Sequence, residues 1–283
     1  MRNGGVEKSN YIDDLSFRIS RGEANRVGRE DSQVVLLRDK LLFFQYMNSH
    51  RFPVPEVFAY IRDGKVFNLN FDEIEFDSLK NEKEYFLKDQ SGECASYVKH
   101  IKDYSELVSV QGDVQKGAYI LQRKVFQSSE MNALNPYAIN TIRIVTVNKN
   151  GQCYVFSSLL RVGTSKSGNV DNWAAGGLAI GIQQDTGYLK KYGFYKPVYG
   201  LKESAHPDTG IKFTDFRIPQ FKEACEIACK AHKIFFDVRA IGWDIAITED
   251  GPVFIEGNDN FEISLHQACD GPLKKEWLEA IDD

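Results

Sequence analysis

Three polar residues near the end of the chain stand inside segments that otherwise have the composition of β-strands. Asp244 is bracketed by Trp243 and Ile245, and Glu256 follows the run "PVFI", with Asn258 two residues later. Side chains alternate between the two faces of a strand, so Glu256 and Asn258 share a face. The turn "TEDGP" separates the two segments, and antiparallel pairing across it brings the strand of Asp244 beside that of Glu256.

These residue types predict a metal site. Two carboxylates and an amide oxygen are hard oxygen donors of the kind that Mg²⁺ selects. The alternative is the solvated face of a hairpin. Acidic side chains inside apolar runs cost free energy unless they are paired or bind a metal. The sequence therefore favours Asp244, Glu256 and Asn258 as Mg²⁺ ligands.

Three basic residues occupy positions that suit anion binding. Lys88 ends the run "EYFL" and precedes "DQSGECASYV", where small residues let the backbone approach a nucleotide phosphate. That stretch has one glycine, so an exposed lysine is the alternative, and Lys40 in "LLRDKLLFF" also fits a lysine that reaches solvent from a helix. Arg143 interrupts the β-branched run "NTIRIVTV", so it needs an anionic partner, either a phosphate or a core carboxylate.

Hydrophobic periodicity predicts the elements that carry these residues. The segment "LLRDKLLFFQYMNSH" has helical spacing, and "RFPVPEVFAYI" turns at two prolines into a strand. The first thirty or so residues are polar and are expected to form an arm with one short helix. Short strands are expected in "GKVFNLNF", "EYFLKD" and "AYILQRKVF".

The second half of the chain has the clearest pattern. "TIRIVTVNKNGQCYVFSSLLRVG" is a β-hairpin that turns at Asn150-Gly151, and "NWAAGGLAIGIQQDTGYLKKY" is a second strand pair. "IPQFKEACEIACKAHKIF" is the longest predicted helix. Because hairpins dominate the connections, an antiparallel α+β sheet is favoured over a doubly wound one.

Composition narrows the class of protein. The chain has 283 residues and a formal charge of −5, which gives no support for a nucleic-acid partner or a polybasic membrane role. Five cysteines without a CxxC pair or a histidine at metal spacing predict reduced thiols and a cytoplasmic protein. No apolar run approaches the ~20 residues that span a bilayer, and the N-terminus has no signal-peptide pattern. The oligomeric state is left open.

The order of these motifs resembles that of the ATP-grasp superfamily, which includes D-alanine–D-alanine ligase. More narrowly, "NPYAINTIRIVTV", "VDNWAAGGLAIGI", "HPDTG", "IPQF", "IGWDIAITEDGPVFIEGN" and Gln267 look like the sugar-transfer-associated ATP-grasp group. The resemblance covers roughly Leu36 to Pro272. It implies an α+β ATP-grasp fold whose two lobes, with antiparallel sheets, grip the nucleotide. Against that pattern, we expect the full N-terminal Rossmann-like domain of many relatives to be missing or reduced.

The resemblance also implies a domain organisation. A polar arm is expected over 1–35 and a reduced helix–strand region over 36–65. The ATP-grasp lid subdomain follows over 66–125. The C-terminal subdomain, which carries the Mg²⁺ site, is expected over 126–283.

Individual residues acquire roles by the same resemblance. Lys40 and Lys88 match lysines that contact nucleotide phosphates, and Arg143 matches an arginine that stabilises the transferred phosphate. Lys88 and Arg143 are therefore the expected catalytic residues. Gln122 stands where the family's hinge usually has a glutamate that contacts the adenine amino group. The resemblance places further residues at the adenine edge (the backbone of Lys124 and Val125), at the ribose (Glu130), at Mg²⁺ (Asp244, Glu256 and Asn258) and near the acceptor substrate (Asn172, His206 and Asp208).

The implied activity is that of an ATP- and Mg²⁺-dependent carboxylate–amine ligase. It would proceed through an acyl-phosphate and act on a sugar acid, an amino acid or a peptide. The alternative is an ATP-grasp phosphotransferase that phosphorylates a hydroxyl group or carries the phosphate on a histidine, for which His206 is the candidate. A third possibility is a nucleotide-binding module without catalysis, against which the three Mg²⁺ ligands argue.

Overall fold

The chain forms two compact units. The computed structural model describes residues 8–30, 32–91, 97–167, 173, 176–196 and 201–282. The small unit is Val35–Phe126, and the large unit combines Met1–Val34 with Gln127–Asp283. Both are α+β. No helix within the described residues has the length and apolar composition needed to cross a bilayer.

The small unit is built on a six-stranded sheet with the order β3-β2-β1-β6-β4-β5, in which every pairing is antiparallel. One face carries Tyr85, Leu87 and Leu121, which are fully buried under the short helix α4. On the other face, helix α3 packs Leu41 and Phe44 against the sheet. The strands are β1 (Val57–Arg62), β2 (Lys65–Phe67), β3 (Glu73–Ile74), β4 (Tyr85–Asp89), β5 (Val98–Ile101) and β6 (Ala118–Arg123), and the helices are α2 (Val34–Arg38), α3 (Lys40–Ser49) and α4 (Tyr104–Ser109).

The large unit contains a seven-stranded sheet with the order β11-β10-β9-β8-β7-β12-β13, again antiparallel at every pairing. Helix α6 packs on one face, and α7 and α8 pack on the other. Its strands are β7 (Thr141–Lys149), β8 (Gln152–Val162), β9 (Leu178–Ile182), β10 (Leu189–Phe194), β11 (Lys202–Glu203), β12 (Ala240–Thr248) and β13 (Gly251–Asn258). Its helices are α1 (Asp14–Ala24), α5 (Ser129–Leu134), α6 (Phe221–His232), α7 (Ser264–Asp270) and α8 (Lys274–Ile281).

The clearest sequence predictions are confirmed. Strands β7 and β8 form the expected hairpin, and Asn150 (φ 53°) and Gly151 (φ 77°) both have the positive φ that a two-residue type I′ turn requires. The longest helix of the described residues is α6, as the sequence indicated, and it buries Phe221, Ala224 and Ala228. The antiparallel arrangement favoured from the hairpins is also observed.

The N-terminal segment is a packed part of the large unit. Phe17 of α1 is 1% exposed, and its ring centroid lies 4.6 Å from that of Trp277 in α8. Gln267 donates to the carbonyl oxygen of Ile12 at 2.9 Å and accepts from its backbone N–H at 3.0 Å. The short helix expected in a polar arm is therefore α1, and a buried aromatic residue holds it against α8.

Candidate functional site

The predicted metal ligands lie together on one face of the large sheet. In the pairing of β12 with β13, Asp244 is directly opposite Glu256, and Gly242 is directly opposite Asn258. On the other side of β12, Asp244 is directly opposite Arg143 of β7. Directly opposed residues point to the same face. The sheet register therefore groups Asp244, Glu256, Asn258 and Arg143.

Two one-residue β-bulges are needed for this grouping. Next to its turn, the β12–β13 hairpin pairs Ile245 with Phe254, but beyond Ile255 the register shifts so that Asp244 pairs with Glu256. Without the shift, Glu256 would lie opposite Trp243, on the face covered by α6. A second bulge at Phe156 shifts the β7–β8 register in the same way. Each bulge moves the residues beyond it to the other face of the sheet.

Arg143 and Asp244 form a buried ion pair with two parallel hydrogen bonds. Nε of Arg143 donates to Oδ1 of Asp244 at 2.6 Å, and Nη2 donates to Oδ2 at 2.9 Å. Arg161 of β8 adds a bond from Nη1 to Oδ2 at 2.9 Å. The Asp244 side chain is 3% exposed, and those of Arg143 and Arg161 are 11% and 14% exposed. Two guanidinium groups thus hold one carboxylate in a defined orientation.

The environment shifts the pKa values of Asp244 and Glu256 in opposite directions. Burial by itself would raise the pKa of Asp244, but the charges of Arg143 and Arg161 outweigh it and hold that pKa well below the ordinary range. Burial, and then the charge of Asp244, raises the pKa of Glu256. A hydrogen bond joins the two carboxyl groups. Ionisation is therefore favoured at Asp244 and disfavoured at Glu256.

The donor set fits Mg²⁺. Asn258 Nδ2 donates to Glu256 Oε1 at 3.2 Å and to the Gly242 carbonyl oxygen at 3.3 Å, which turns the amide oxygen of Asn258 away from both acceptors. No group of three or more His, Cys, Asp and Glu side chains that could hold a metal ion occurs in the described residues. Two carboxylates with an amide oxygen fall below that number, and they form the kind of partial set that Mg²⁺ completes with phosphate oxygens and water.

Arg161 is a site residue that sequence reasoning did not identify. If the regular pairing next to the Asn150-Gly151 turn continued without a bulge, Arg161 would point to the face opposite Arg143. The observed register pairs Arg161 with Thr141 and so places it on the face of Arg143. Arg161 directly follows Leu159 and Leu160, a sequence feature comparable to the position of Arg143 in a β-branched run.

Three of the predicted nucleotide residues are neighbours in the small unit. Lys88 Nζ donates to Gln122 Oε1 at 2.7 Å, and the two side chains lie on the same face of β4 and β6. Lys40 is the first residue of α3, and its backbone N–H donates to the Gln90 carbonyl oxygen at 2.9 Å, just beyond the end of β4. The adjoining residues 92–96, which include the one glycine of the expected phosphate loop, lie outside the described residues.

The expected adenine and ribose residues follow β6. The backbone N–H of Lys124 donates to the Glu84 carbonyl oxygen at 3.1 Å, and its ammonium group donates to a Glu84 carboxylate oxygen at 2.8 Å. The Lys124 carbonyl oxygen and the backbone of the half-buried Val125 are therefore the groups that could contact a base. Glu130 is exposed in the first turn of α5, and it belongs to the large unit.

Two of the expected acceptor residues hold loops together. His206 is 1% exposed; its Nε2 bonds the Gly163 carbonyl oxygen at 2.9 Å, and its Nδ1 accepts from the backbone N–H groups of Asp208 and Thr209. Asp208 accepts from the hydroxyl and the backbone N–H of Ser165 at 2.6 and 2.8 Å. With both ring nitrogens engaged, His206 has no nitrogen available to carry a phosphate in this conformation. Asn172, the third expected acceptor residue, lies outside the described residues.

A family model matches most of the chain. The model described as "Sugar-transfer associated ATP-grasp" matches residues 74–283. The match includes Lys88, Arg143 and the candidate Mg²⁺ ligands, whereas Lys40 lies before its start. No curated protein matches the chain in sequence.

Solved structures support the same fold. The biotin carboxylase domain of Hydrogenobacter thermophilus 2-oxoglutarate carboxylase, in complex with MgADP, ADP and bicarbonate, is similar with a TM-score of 0.52 at 13% identity, over 94% of this chain and 52% of that chain. D-alanyl-alanine synthetase A from Vibrio cholerae is similar with a TM-score of 0.50 at 9% identity, over 87% of this chain and 64% of that chain. The chain thus spans between half and two-thirds of the length of these two proteins. At such identities the similarity establishes the ATP-grasp fold alone.

Proposed function

The chain belongs to the sugar-transfer-associated ATP-grasp family, and from that premise we propose that it is an ATP-dependent carboxylate–amine ligase. It would activate a carboxylate as an acyl-phosphate and join it to an amine, with ADP and phosphate as products. A sugar acid, an amino acid or a peptide would supply the substrates.

One observation carries the proposal: two carboxylates and an amide oxygen lie on the same sheet face as two arginines. Asp244, Glu256 and Asn258 form the oxygen set, and Arg143 and Arg161 approach Asp244 from the neighbouring strands. A purely structural ion pair would need one cation for Asp244. The additional carboxyl group of Glu256, whose pKa is raised by burial and by Asp244, is costly to bury unless it meets a cation.

The residues of the large unit would neutralise charge on the transferred phosphate. Arg143 gives two of its five N–H groups to Asp244 in the described part of the chain, so three remain for phosphate oxygens. Asp244 would keep the guanidinium plane fixed, and such preorganised charge lowers a barrier without reorganisation during the reaction. Asp244, Glu256 and Asn258 would hold Mg²⁺. When bound, Mg²⁺ supplies additional positive charge at the phosphate oxygens.

The small unit would bind the nucleotide through Lys40, Lys88 and Gln122. Lys88 already donates to Gln122, so the amide oxygen of Gln122 is occupied. The NH₂ group of Gln122 donates weakly to the Pro55 carbonyl oxygen at 3.4 Å. The Lys124 carbonyl oxygen and the backbone of Val125 would contact the adenine, and Glu130 would contact the ribose. The V. cholerae synthetase and the H. thermophilus carboxylase domain share this fold, and the latter structure contains MgADP.

The proposal is tested by ADP formation with purified full-length protein, ATP, Mg²⁺ and a panel of carboxylates and amines. We expect ADP and phosphate in equal amounts, together with loss of the amine. Glu256→Gln should reduce the rate by about a hundredfold or more, because removing an electrostatic group at a phosphoryl-transfer centre costs of that order. Mn²⁺ binding, measured by electron paramagnetic resonance, should weaken in the same variant.

Asp250→Asn is the matched control, because Asp250 is an exposed carboxylate in the turn of the same hairpin. It should keep wild-type turnover and Mn²⁺ binding. Wild-type activity in Glu256→Gln would remove the metal assignment. ADP formed together with a phosphorylated acceptor would identify a phosphotransferase instead, and nucleotide binding without ADP would identify a binding module.

A further inference from the structure

A hydrogen-bond chain runs from the half-exposed Lys190 of β10 to the buried His266 of α7, on the sheet face that carries Arg143. Lys190 Nζ donates to Asp270 Oδ1 at 2.6 Å, and Ser157 Oγ donates to Asp270 Oδ2 at 2.8 Å. Ser157 Oγ also lies 2.7 Å from His266 Nδ1. The hydrogen-bond chain ends at the imidazole of His266, which is 0% exposed.

Gly181 of β9 leaves space for the side chains of Lys190 and Asp270 in this hydrogen-bond chain. A Cβ atom at residue 181 would lie 2.9 Å from Lys190 Cδ and 3.3 Å from Asp270 Oδ1. The first distance is shorter than real Cβ contacts, so a side chain at residue 181 would force the Lys190 side chain to shift away from its present path over β9. The ion pair is thereby part of how the sheet and α7 pack.

The hydrogen-bond chain determines which nitrogen of His266 carries the proton. Asp270 is paired with the Lys190 ammonium group, so its carboxylate only accepts hydrogen bonds. The single hydroxyl proton of Ser157 is donated to Asp270. The short contact between Ser157 Oγ and His266 Nδ1 is then a hydrogen bond only if Nδ1–H donates to the serine oxygen. In a neutral imidazole, this leaves Nε2 with a lone pair.

That lone pair has no partner among the residues that the structure describes. Nε2 of His266 is a buried atom without a hydrogen bond, and buried acceptors in proteins are nearly always satisfied. Burial lowers the pKa of His266 to about 3, and Arg143 lowers it while Asp244 raises it. The imidazole therefore stays neutral and is within electrostatic reach of the candidate Mg²⁺ and phosphate residues. A base this weak accepts a hydrogen bond but does not carry a proton.

We infer that Nε2 of His266 is a substrate contact: it accepts a hydrogen bond from the N–H of the amine that attacks the activated carboxylate. This inference rests on the proposed ligase function and assigns a residue to the acceptor half of the site. The register supports the placement, because Ser157, Leu159 and Arg161 follow one another on the same face of β8. His266 bonds the first of them, and Arg161 bonds Asp244.

The test uses nitrogen-15 histidine spectra of the full-length protein with Mg²⁺, the non-hydrolysable analogue adenylyl imidodiphosphate, and three probe amines: ethanolamine, glycinamide and glucosamine. We expect His266 to show an unprotonated Nε2 that shifts on addition of at least one amine. The buried His232 is the internal control, because its Nε2 already bonds the Val238 carbonyl oxygen and its Nδ1 bonds Thr146. Its signals should not move.

Two variants separate the lone pair from the packing of the ring. Asparagine at this position places an amide N–H where Nδ1 stands and has no atom at Nε2, whereas glutamine places a polar atom near Nε2. We expect His266→Asn to weaken binding of the responsive amine by about tenfold, the loss of one hydrogen bond. His266→Gln should keep it within about threefold.

Several results would overturn the inference. The first is a spectrum in which Nε2 of His266 carries a proton. The second is an Nε2 signal that none of the probe amines shifts, because a buried water is its sole partner. The third is an amine affinity that His266→Asn leaves unchanged. A wild-type protein that fails to bind the nucleotide analogue would instead contradict the proposed function, while the tautomer of His266 would still be read from the same spectrum.

Discussion

The cluster around Asp244 predicts that two neighbouring carboxyl groups contribute very differently to stability. Asp244→Asn removes the negative charge that pairs with both Arg143 and Arg161. Glu256→Gln replaces a carboxyl group whose ionisation is already disfavoured, because its pKa is raised by burial and by Asp244. The first change removes the carboxylate that both guanidinium groups contact, whereas the second removes a carboxyl group for which no arginine hydrogen bond is described.

The magnitude follows from burial and from the number of bonds lost. Breaking a buried pair by removing one partner costs about 3–5 kcal/mol. The Asp244 side chain is 3% exposed and makes three bonds to guanidinium groups, so solvent cannot replace it. We therefore expect Asp244→Asn to lower the free energy of unfolding by about 3 kcal/mol, and Glu256→Gln to lower it by less than about 1 kcal/mol.

The assay is urea unfolding at pH 7.5, followed by tryptophan fluorescence. The three tryptophans, Trp173, Trp243 and Trp277, all belong to the large unit, so the transition reports the unit that contains Asp244. Asp250→Asn in the turn of the same hairpin serves as the control for loss of a carboxylate. Equal losses in Asp244→Asn and Glu256→Gln, or a loss below about 1 kcal/mol in Asp244→Asn, would refute the description of Asp244 as the shared partner of two arginines.

Three further predictions concern other parts of the chain. Burial lowers the pKa of His232 from 6.5 to about 4, so the folded protein keeps this imidazole neutral while the unfolded chain takes up a proton below pH 6.5. About 3 kcal/mol of stability that is present above pH 6.5 should therefore be lost by pH 4. Urea titrations of His232→Gln at several pH values should lack this component. Lys88→Met should weaken binding of an ATP analogue by about tenfold or more with unchanged thermal stability, since it removes a charge-assisted contact; calorimetry showing wild-type affinity would contradict the role of Lys88. Gln267→Ala removes both hydrogen bonds to Ile12, so amide hydrogen exchange in residues 12–24 should accelerate while β12 stays protected. Unchanged exchange would show that α1 is held by other contacts.

Local patterns were sufficient to predict the elements that have a strong period or a specific turn. The Asn150-Gly151 turn, the hairpin of β12 and β13 and the helix α6 all carry such patterns, and the structure confirms them. The packing of α1 was not predictable in this way. Its apolar residues are few, and Phe17 is buried by Trp277, which lies far away in sequence.

The candidate site was predictable in residue type but not in geometry. The oxygen ligands were identified because carboxylates are unusual inside apolar strands, and that argument depends on one strand at a time. Which face each residue occupies depends on the bulges at Phe156 and Ile255, and neither residue has a type that marks a bulge. Arg161 and the His266 chain were missed because both depend on contacts between segments far apart in sequence.

The large unit is discontinuous along the chain, and this has a consequence for synthesis on the ribosome. Residues 35–126 form a unit of their own and can fold as soon as they emerge. Helix α1 is made before residues 35–126 but must wait for its partners, because Ser20 accepts from Trp277 and Arg21 donates to the Phe261 carbonyl oxygen across separations of 257 and 240 residues. During that interval the apolar side of α1 lacks these partners, so a helix made before the small unit is buried only after it.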